Sequence, residues 1–108
     1  MLRIQTTAIE LVRDVMPLIR DIERCDPDLA RQARRAVMSC PLNIAEGSEQ
    51  SGKRRAQHYR IALGSARETW SALQVAEAAD YIGPPDPDLK NKFNQVIGTL
   101  HICLFKAQ

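Results

Sequence analysis

Apolar residues recur along the chain at intervals of three and four positions, which places them on one face of an α-helix. This spacing predicts helices over about residues 6–24, 27–46, 53–79 and 87–106. No segment alternates between apolar and polar residues as a strand does. Because short connections make neighbouring helices antiparallel, the pattern predicts an all-α, up-down-up-down four-helix bundle that forms a single domain over residues 1–108.

The same pattern predicts which residues form the core. Inward positions are Ile9, Val12, Val15, Met16, Ile19 and Ile22 in the first helix, Leu29, Ala33, Ala36, Val37, Cys40 and Ile44 in the second, Tyr59, Leu63, Ala66, Trp70 and Leu73 in the third, and Leu89, Phe93, Val96, Ile97, Leu100 and Leu104 in the fourth. Asp26-Pro27 and Asp86-Pro87 are typical of an N-cap followed by the first helical residue. Gly47 is expected to end the second helix.

Four apolar residues do not fit these core stripes. Ile102 and Phe105 project from the opposite face of the fourth helix, and Leu2 and Ile4 precede the first stripe. A bundle of this size gains from burying such residues between subunits, so Ile102 and Phe105 are predicted to form an oligomer interface. Packing at a frayed helix end is the alternative.

The three cysteines are widely spaced and form no C-x-x-C pair. This favours reduced thiols in a cytoplasmic protein over a disulfide framework or a zinc site. Neither a signal peptide nor an apolar run long enough to span a membrane is present in the sequence, so no membrane partner is expected.

Charge is distributed unevenly along the chain. Residues 31–67 contain eight basic and two acidic residues, a net charge of +6, whereas the remainder contains seven basic and eleven acidic residues, a net charge of −4. Such asymmetry favours one positive surface that binds a polyanion, although two solvated helix faces would show it as well.

The basic residues of this segment are ordered on the predicted helices. Three lie on the outer side of the second helix, three repeat every seven residues along the third, and two lie at the start of the third. Guanidinium groups suit contacts with phosphate oxygens, and scarce exposed aromatic residues imply weak sequence specificity. The predicted contacts with an RNA or DNA backbone are Arg31, Arg34, Arg35, Lys53, Arg54, Arg55, Arg60 and Arg67. Alternatively, Arg34 or Arg35 turns inward at a subunit interface and pairs with an acid such as Glu46.

No motif indicates catalysis. Residues 47–54 nearly match a phosphate-binding loop, but Arg54 replaces the Ser or Thr that would hold Mg²⁺, and a helix rather than a strand precedes the loop. Neither His58 nor His101 belongs to a Glu-x-x-His pair of the kind found in bundle-core metal sites. We therefore expect no enzyme activity, no metal and no cofactor.

Two stretches resemble one known family. The second helix contains Leu29-x-x-Gln32-x-Arg34-Arg35-Ala36-x-x-Ser39-x-Pro41-x-Asn43-Ile44-Ala45-Glu46-Gly47, and the third contains Gly64-Ser65-Ala66-x-Glu68, with Tyr81-Ile82 at its end. These residues resemble the signature of a small bacterial family of four-helix-bundle proteins encoded in intervening sequences of 23S ribosomal RNA genes. The chain departs from the family after Gly47, where members often carry further basic residues and this chain has Ser48-Glu49-Gln50.

The resemblance implies a homopentameric ring, and kinship with accessory subunits of diversity-generating retroelements, which associate with a reverse transcriptase and bind nucleic acid. Within the motif, Asn43 and Glu46 are expected to cap or cross-link helix ends, and Gly47 to permit the turn. The resulting hypothesis is a non-enzymatic, oligomeric binding module for RNA or DNA. The alternative is a protein-interaction scaffold or accessory subunit for a partner such as a reverse transcriptase.

Overall fold

Four helices make up the fold. The computed structural model describes residues 3–105, which form α1 (Ile4–Cys25), α2 (Pro27–Ser48), α3 (Gly52–Ala78) and α4 (Pro87–Phe105), without a strand. Each helix packs against the next along the chain, and α4 packs against α1, which closes the bundle. The predicted all-α four-helix bundle is confirmed. At about 1.5 Å per residue, α3 alone accounts for most of the 42 Å length of the molecule.

Two Asp-Pro pairs start helices as the sequence predicts. The Asp26 carboxylate accepts a hydrogen bond of 3.0 Å from the Leu29 backbone N–H, and Pro27 is the first residue of α2. Asp86 likewise accepts a hydrogen bond of 2.9 Å from the backbone N–H of Asp88, beside Pro87 at the start of α4. These local caps satisfy helix N–H groups that have no intrahelical partner.

The core differs from the sequence prediction in α1. Ile4 is buried in the core, at 6% exposure, although we expected it to lie outside the core stripe. Ile9, expected inside, is 48% exposed, and Leu11 takes the inward position at 1%. The helix carries two adjacent apolar rows, and packing against α2 and α4 selects the row through Ile4, Leu11 and Val15. Leu2 lies outside the described residues.

The end of α2 also differs from the prediction. Gly47 is helical and buried, and α2 ends one residue later, at Ser48. The backbone N–H groups of Glu49 and Gln50 donate to the carbonyls of Glu46 and Gly47, at 3.2 and 3.1 Å. Only residues 49–51 separate α2 from α3, so the two helices are joined by a tight turn.

Candidate nucleic-acid interface

Three cations form an ordered row on α3, which we call the basic ridge (Lys53, Arg60 and Arg67). Their side chains repeat every seven residues, or about two helical turns, and therefore share one side of the helix. All three are exposed, and none makes an ion pair or a side-chain hydrogen bond within residues 3–105. The row spans about 21 Å along the helix axis.

The ridge borders the groove between α3 and α4. Ser65 on α3 faces α2, where its hydroxyl donates to Ser39 at 2.9 Å, and Trp70 faces α4. An α-helix turns by about 100° per residue, so around the α3 axis Arg60 and Arg67 lie about 60–80° from Trp70. They lie about 140–160° from Ser65 around the same axis. The ridge is therefore on the α4 side of α3.

Acidic residues are absent from the two helical segments that line this groove. No Asp or Glu occurs between residues 52 and 67 or between residues 89 and 105. On α4, Lys90 is exposed, whereas Lys92 is neutralised by α1 through Asp14 at 2.6 Å and Glu10 at 3.7 Å. Where residues 52–67 face residues 89–105, the outer α3–α4 face therefore presents positive charge without internal compensation, an arrangement that attracts polyanions. Glu68 and Glu77 of α3 lie toward the other end of the groove.

The three α2 arginines have different surroundings. Arg31 pairs with Asp28 at 2.8 Å within the first turns of α2, and Arg34 pairs with Glu23 of α1 at 3.5 Å. Arg35 is exposed and has no ion-pair partner in the part of the chain that the structure describes. It lines a groove between α2 and α3, so the structure does not join the α2 arginines and the basic ridge into one surface.

The two arginines at the start of α3 also have different surroundings. Arg55 donates from Nε to the Gly47 carbonyl at 3.2 Å and so caps the end of α2, whereas Arg54 is exposed and has no side-chain partner within residues 3–105. Because Gly47 belongs to a helix and only residues 49–51 are non-helical, residues 47–54 do not form an open phosphate-cradling loop.

A polar seam between α2 and α3 was predicted from the sequence only in part, through the cross-linking role expected of Asn43. Asn43 donates to the backbone carbonyl and hydroxyl of Ser39, at 2.9 and 3.0 Å, and its carbonyl oxygen lies 3.0 Å from His58 Nδ1. The Ser65 hydroxyl completes the seam through Ser39. Asn43 thus links two helices, whereas Glu46 is exposed and its side chain has no partner among the described residues. The spacing of Ser39 and Asn43, one turn apart, was the available signal.

The apolar pair expected at an oligomer interface is exposed. Ile102 and Phe105 are 52% and 57% exposed, respectively. The Phe105 ring lies against the ring of His101, with centroids 4.7 Å apart. Their contact with another subunit stays a prediction.

Side chains suited to metal binding or nucleophilic chemistry are dispersed. Across residues 3–105, no three His, Cys, Asp or Glu side chains cluster as metal ligands. The three cysteines are free, and burial raises the pKa of the Cys40 thiol to about 12, which disfavours the reactive thiolate. None of the described helices offers an apolar stretch of the length needed to cross a bilayer.

Comparison with known proteins identifies the family. No curated protein and no solved structure matches the chain. The family model described as 23S rRNA-intervening sequence protein matches residues 1–101, which include α1, α2, α3 and most of α4. This is not a known enzyme family. Because the match covers nearly the whole chain and the fold is the four-helix bundle expected from the resemblance, the chain belongs to the 23S rRNA-intervening sequence protein family.

Proposed function

We propose that this chain is a non-enzymatic, oligomeric binding module that engages the backbone of RNA or DNA through basic helix faces. The observation that carries the proposal is the basic ridge of Lys53, Arg60 and Arg67, exposed and unpaired within residues 3–105 beside two acid-free helical segments. Of the basic residues predicted to bind, these three share one side of a single helix and so form a row that a phosphate backbone can follow. Arg54 adds an unpaired cation at the start of α3, whereas Arg35 lies in the separate groove between α2 and α3. Arg31 remains available because an exposed ion pair contributes little stability.

Phosphate contacts explain how such a surface works without base recognition. Each cation that neutralises a phosphate releases a condensed counterion, so affinity falls steeply as salt rises and depends little on sequence. In a closed oligomer every subunit would repeat the ridge, and weak contacts would add through multivalency.

Self-assembly is part of the proposal, with a pentamer expected from the family resemblance. Large apolar side chains are exposed on several helices, among them Ile9, Leu42 at 65%, and Ile102. Burying them between subunits would stabilise a small bundle. Light scattering at micromolar concentration and near-physiological salt is expected to show a closed oligomer, and a monomer would contradict this part of the proposal.

Charge reversal tests the nucleic-acid proposal. Arg60→Glu with Arg67→Glu is expected to abolish oligonucleotide binding at low salt while helicity and oligomer size stay unchanged. The matched control is Arg13→Glu with Arg20→Glu, which has the same spacing and charge change on exposed positions of α1 that have no ion-pair partner among residues 3–105. The control is expected to retain binding apart from the general effect of net charge.

Two results would overturn the proposal. Equal loss in the ridge variant and the control would mean that net charge, not this face, governs binding. If wild-type protein retains no oligonucleotide even at low salt, the alternative applies, in which the chain is a scaffold or accessory subunit for a protein such as a reverse transcriptase. The exposed side chains of Met38 and Leu42 on α2 favour that second function, since they offer an apolar contact for a protein partner.

A further inference from the structure

We propose that the α3–α4 face binds single-stranded rather than double-stranded nucleic acid, with the rings of His101 and Phe105 stacking on an unpaired base. This inference rests on the proposed function and names the form of nucleic acid that the same face takes. It is carried by the position of this ring pair relative to the basic ridge.

The ring pair is accessible to a ligand. His101 and Phe105 are one helical turn apart at the end of α4, their ring centroids are 4.7 Å apart, and their planes are inclined by 49°. Both residues are exposed, and 57% of Phe105 remains open to solvent. Exposing an aromatic ring to water is unfavourable, and a partially preordered ring pair loses little side-chain entropy when a base stacks on it.

The orientation of α4 places His101 on the α3 side. Phe93 faces α3, where it contacts Trp70, whereas Lys92 faces α1 through its bond to Asp14. At about 100° per residue, His101 lies about 80° from Phe93 and about 180° from Lys92. Phe105 projects about 120° from Phe93 on the same side, toward solvent. The ring pair and the basic ridge therefore lie on opposite sides of the same groove, the ring pair on α4 and the ridge on α3.

The register of α3 and α4 places the rings of His101 and Phe105 at the same height along the bundle as Arg60 of the basic ridge. The ring centroids of Trp70 and Phe93 are 5.2 Å apart, so these residues face each other across the antiparallel pair. Because α3 and α4 run in opposite directions, ten residues before Trp70 and ten residues after Phe93 lie at the same height along the bundle. Arg60 is therefore level with residue 103. His101 and Phe105 lie two residues either side of that position, within about 3 Å along the helix axis.

The proximity of the rings to Arg60 favours a single-stranded ligand over a duplex. In a duplex the faces of interior bases are covered by their neighbours, whereas a single strand can splay a base onto an aromatic ring while a nearby cation holds its phosphate. Arg60 supplies the cation, and the ring pair supplies the stacking surface.

Phe105 then has a role other than the subunit contact predicted from the sequence. Ile102, which lies about 180° from Phe93 on the outward face of α4, stays a candidate for that contact.

Parallel binding measurements on two ligands test the inference. The probes are a single-stranded RNA of about 12 nucleotides, within the usual site size for such surfaces, and its perfect duplex. Phe105→Ala is expected to weaken single-strand binding about tenfold and to leave duplex binding unchanged, because the loss of one stacked base weakens binding by roughly fivefold to a hundredfold. Phe105→Trp is expected to retain single-strand binding, and Ile102→Ala serves as a non-aromatic control of similar exposure on the same outward face of α4.

Each failure has a distinct signature. If Phe105→Ala weakens binding of both probes equally, or weakens neither, the stacking role is wrong. The proposed function still holds in that case, provided that the wild-type protein shows salt-dependent binding. Dissociation of the oligomer by Phe105→Ala, seen in light scattering, assigns the ring to a subunit contact and also overturns the stacking role. Absence of wild-type binding to either probe overturns the proposed function itself.

Discussion

The ring of Tyr59 in α3 occupies the space that a side chain at Gly47 in α2 would need. A Cβ atom on Gly47 would lie 2.5 Å from Tyr59 Cε1 and 2.7 Å from Cδ1, distances that real Cβ contacts do not reach. Tyr59 is only 5% exposed, so its ring has little room to withdraw. Glycine at this position therefore serves the close approach of two helices, rather than the turn that the sequence led us to expect.

Gly47→Ala is expected to destabilise the fold by about 1–3 kcal/mol, because the added methyl group forces the buried ring and its helix to shift. Thermal or urea unfolding followed by circular dichroism measures the change. Gly64→Ala is the matched control, since Gly64 lies inside α3 and a methyl group there would meet no other part of the fold within 4 Å. That control is expected to stabilise the protein by about 0.5–1 kcal/mol through helix propensity. Equal effects of the two substitutions would contradict the close approach.

Lys92 is expected to contribute more stability than the neighbouring Lys90. The hydrogen bond from Lys92 to Asp14, with the charge of Glu10, raises the pKa of Lys92 above its ordinary value, whereas Lys90 is exposed and unpaired among the described residues. Lys92→Gln is therefore expected to lower the Tm more than Lys90→Gln at neutral pH.

The pH dependence of that difference follows from the sign of the shift. The folded state binds the Lys92 proton more tightly than the unfolded state, so the stabilisation is complete below the ordinary lysine pKa of about 10.4. It is lost as pH rises through the higher folded value. The Tm difference between the two variants is expected to shrink as pH rises above about 10.4 and to vanish only above the higher folded pKa of Lys92. Identical Tm values at pH 7 would show that the α1–α4 ion pair adds nothing.

Cysteine labelling tests the packing of α2. Cys40 is buried and burial raises the pKa of its thiol to about 12, whereas Cys25 is exposed at the end of α1. Because the thiolate is the reactive form, iodoacetamide at neutral pH is expected to modify Cys25 in the native protein and to spare Cys40. Mass spectrometry locates the label, and denatured protein provides the control in which both react. Equal native rates at the two thiols would mean that α2 does not shield Cys40.

The starts of α2 and α4 and the inward rows of α3 and α4 were predicted well because they depend on local sequence. The Asp26 and Asp86 caps arise from side chains bonding to N–H groups two or three residues away, so the residue types alone identify the helix starts. The inward rows of α3 and α4 follow from apolar spacing, as the burial of Leu63, Leu73 and Phe93 confirms. Physical constraints of this kind act within one or two helical turns.

Features that depend on the register between helices were not predictable from the sequence. Glu23 pairs with Arg34 because α1 and α2 lie side by side, and nothing in the spacing of those residues specifies that pairing. The contact between Ser39 and Ser65 likewise joins two helices 26 residues apart in sequence. The seven-residue repeat of the basic ridge was visible in the sequence, but its freedom from ion pairs within residues 3–105 became apparent only with the neighbouring helices in place.

The salt dependence of oligonucleotide binding tests the central claim most directly. For a single strand, the logarithm of the association constant falls with the logarithm of salt concentration by about 0.7 for each phosphate neutralised. If Arg60 on the basic ridge holds a phosphate, Arg60→Gln is expected to reduce that slope by about 0.7 for each subunit that contacts the strand, while Arg13→Gln on α1 leaves it unchanged. A slope that stays the same in Arg60→Gln, or wild-type binding that does not vary with salt, would contradict the account.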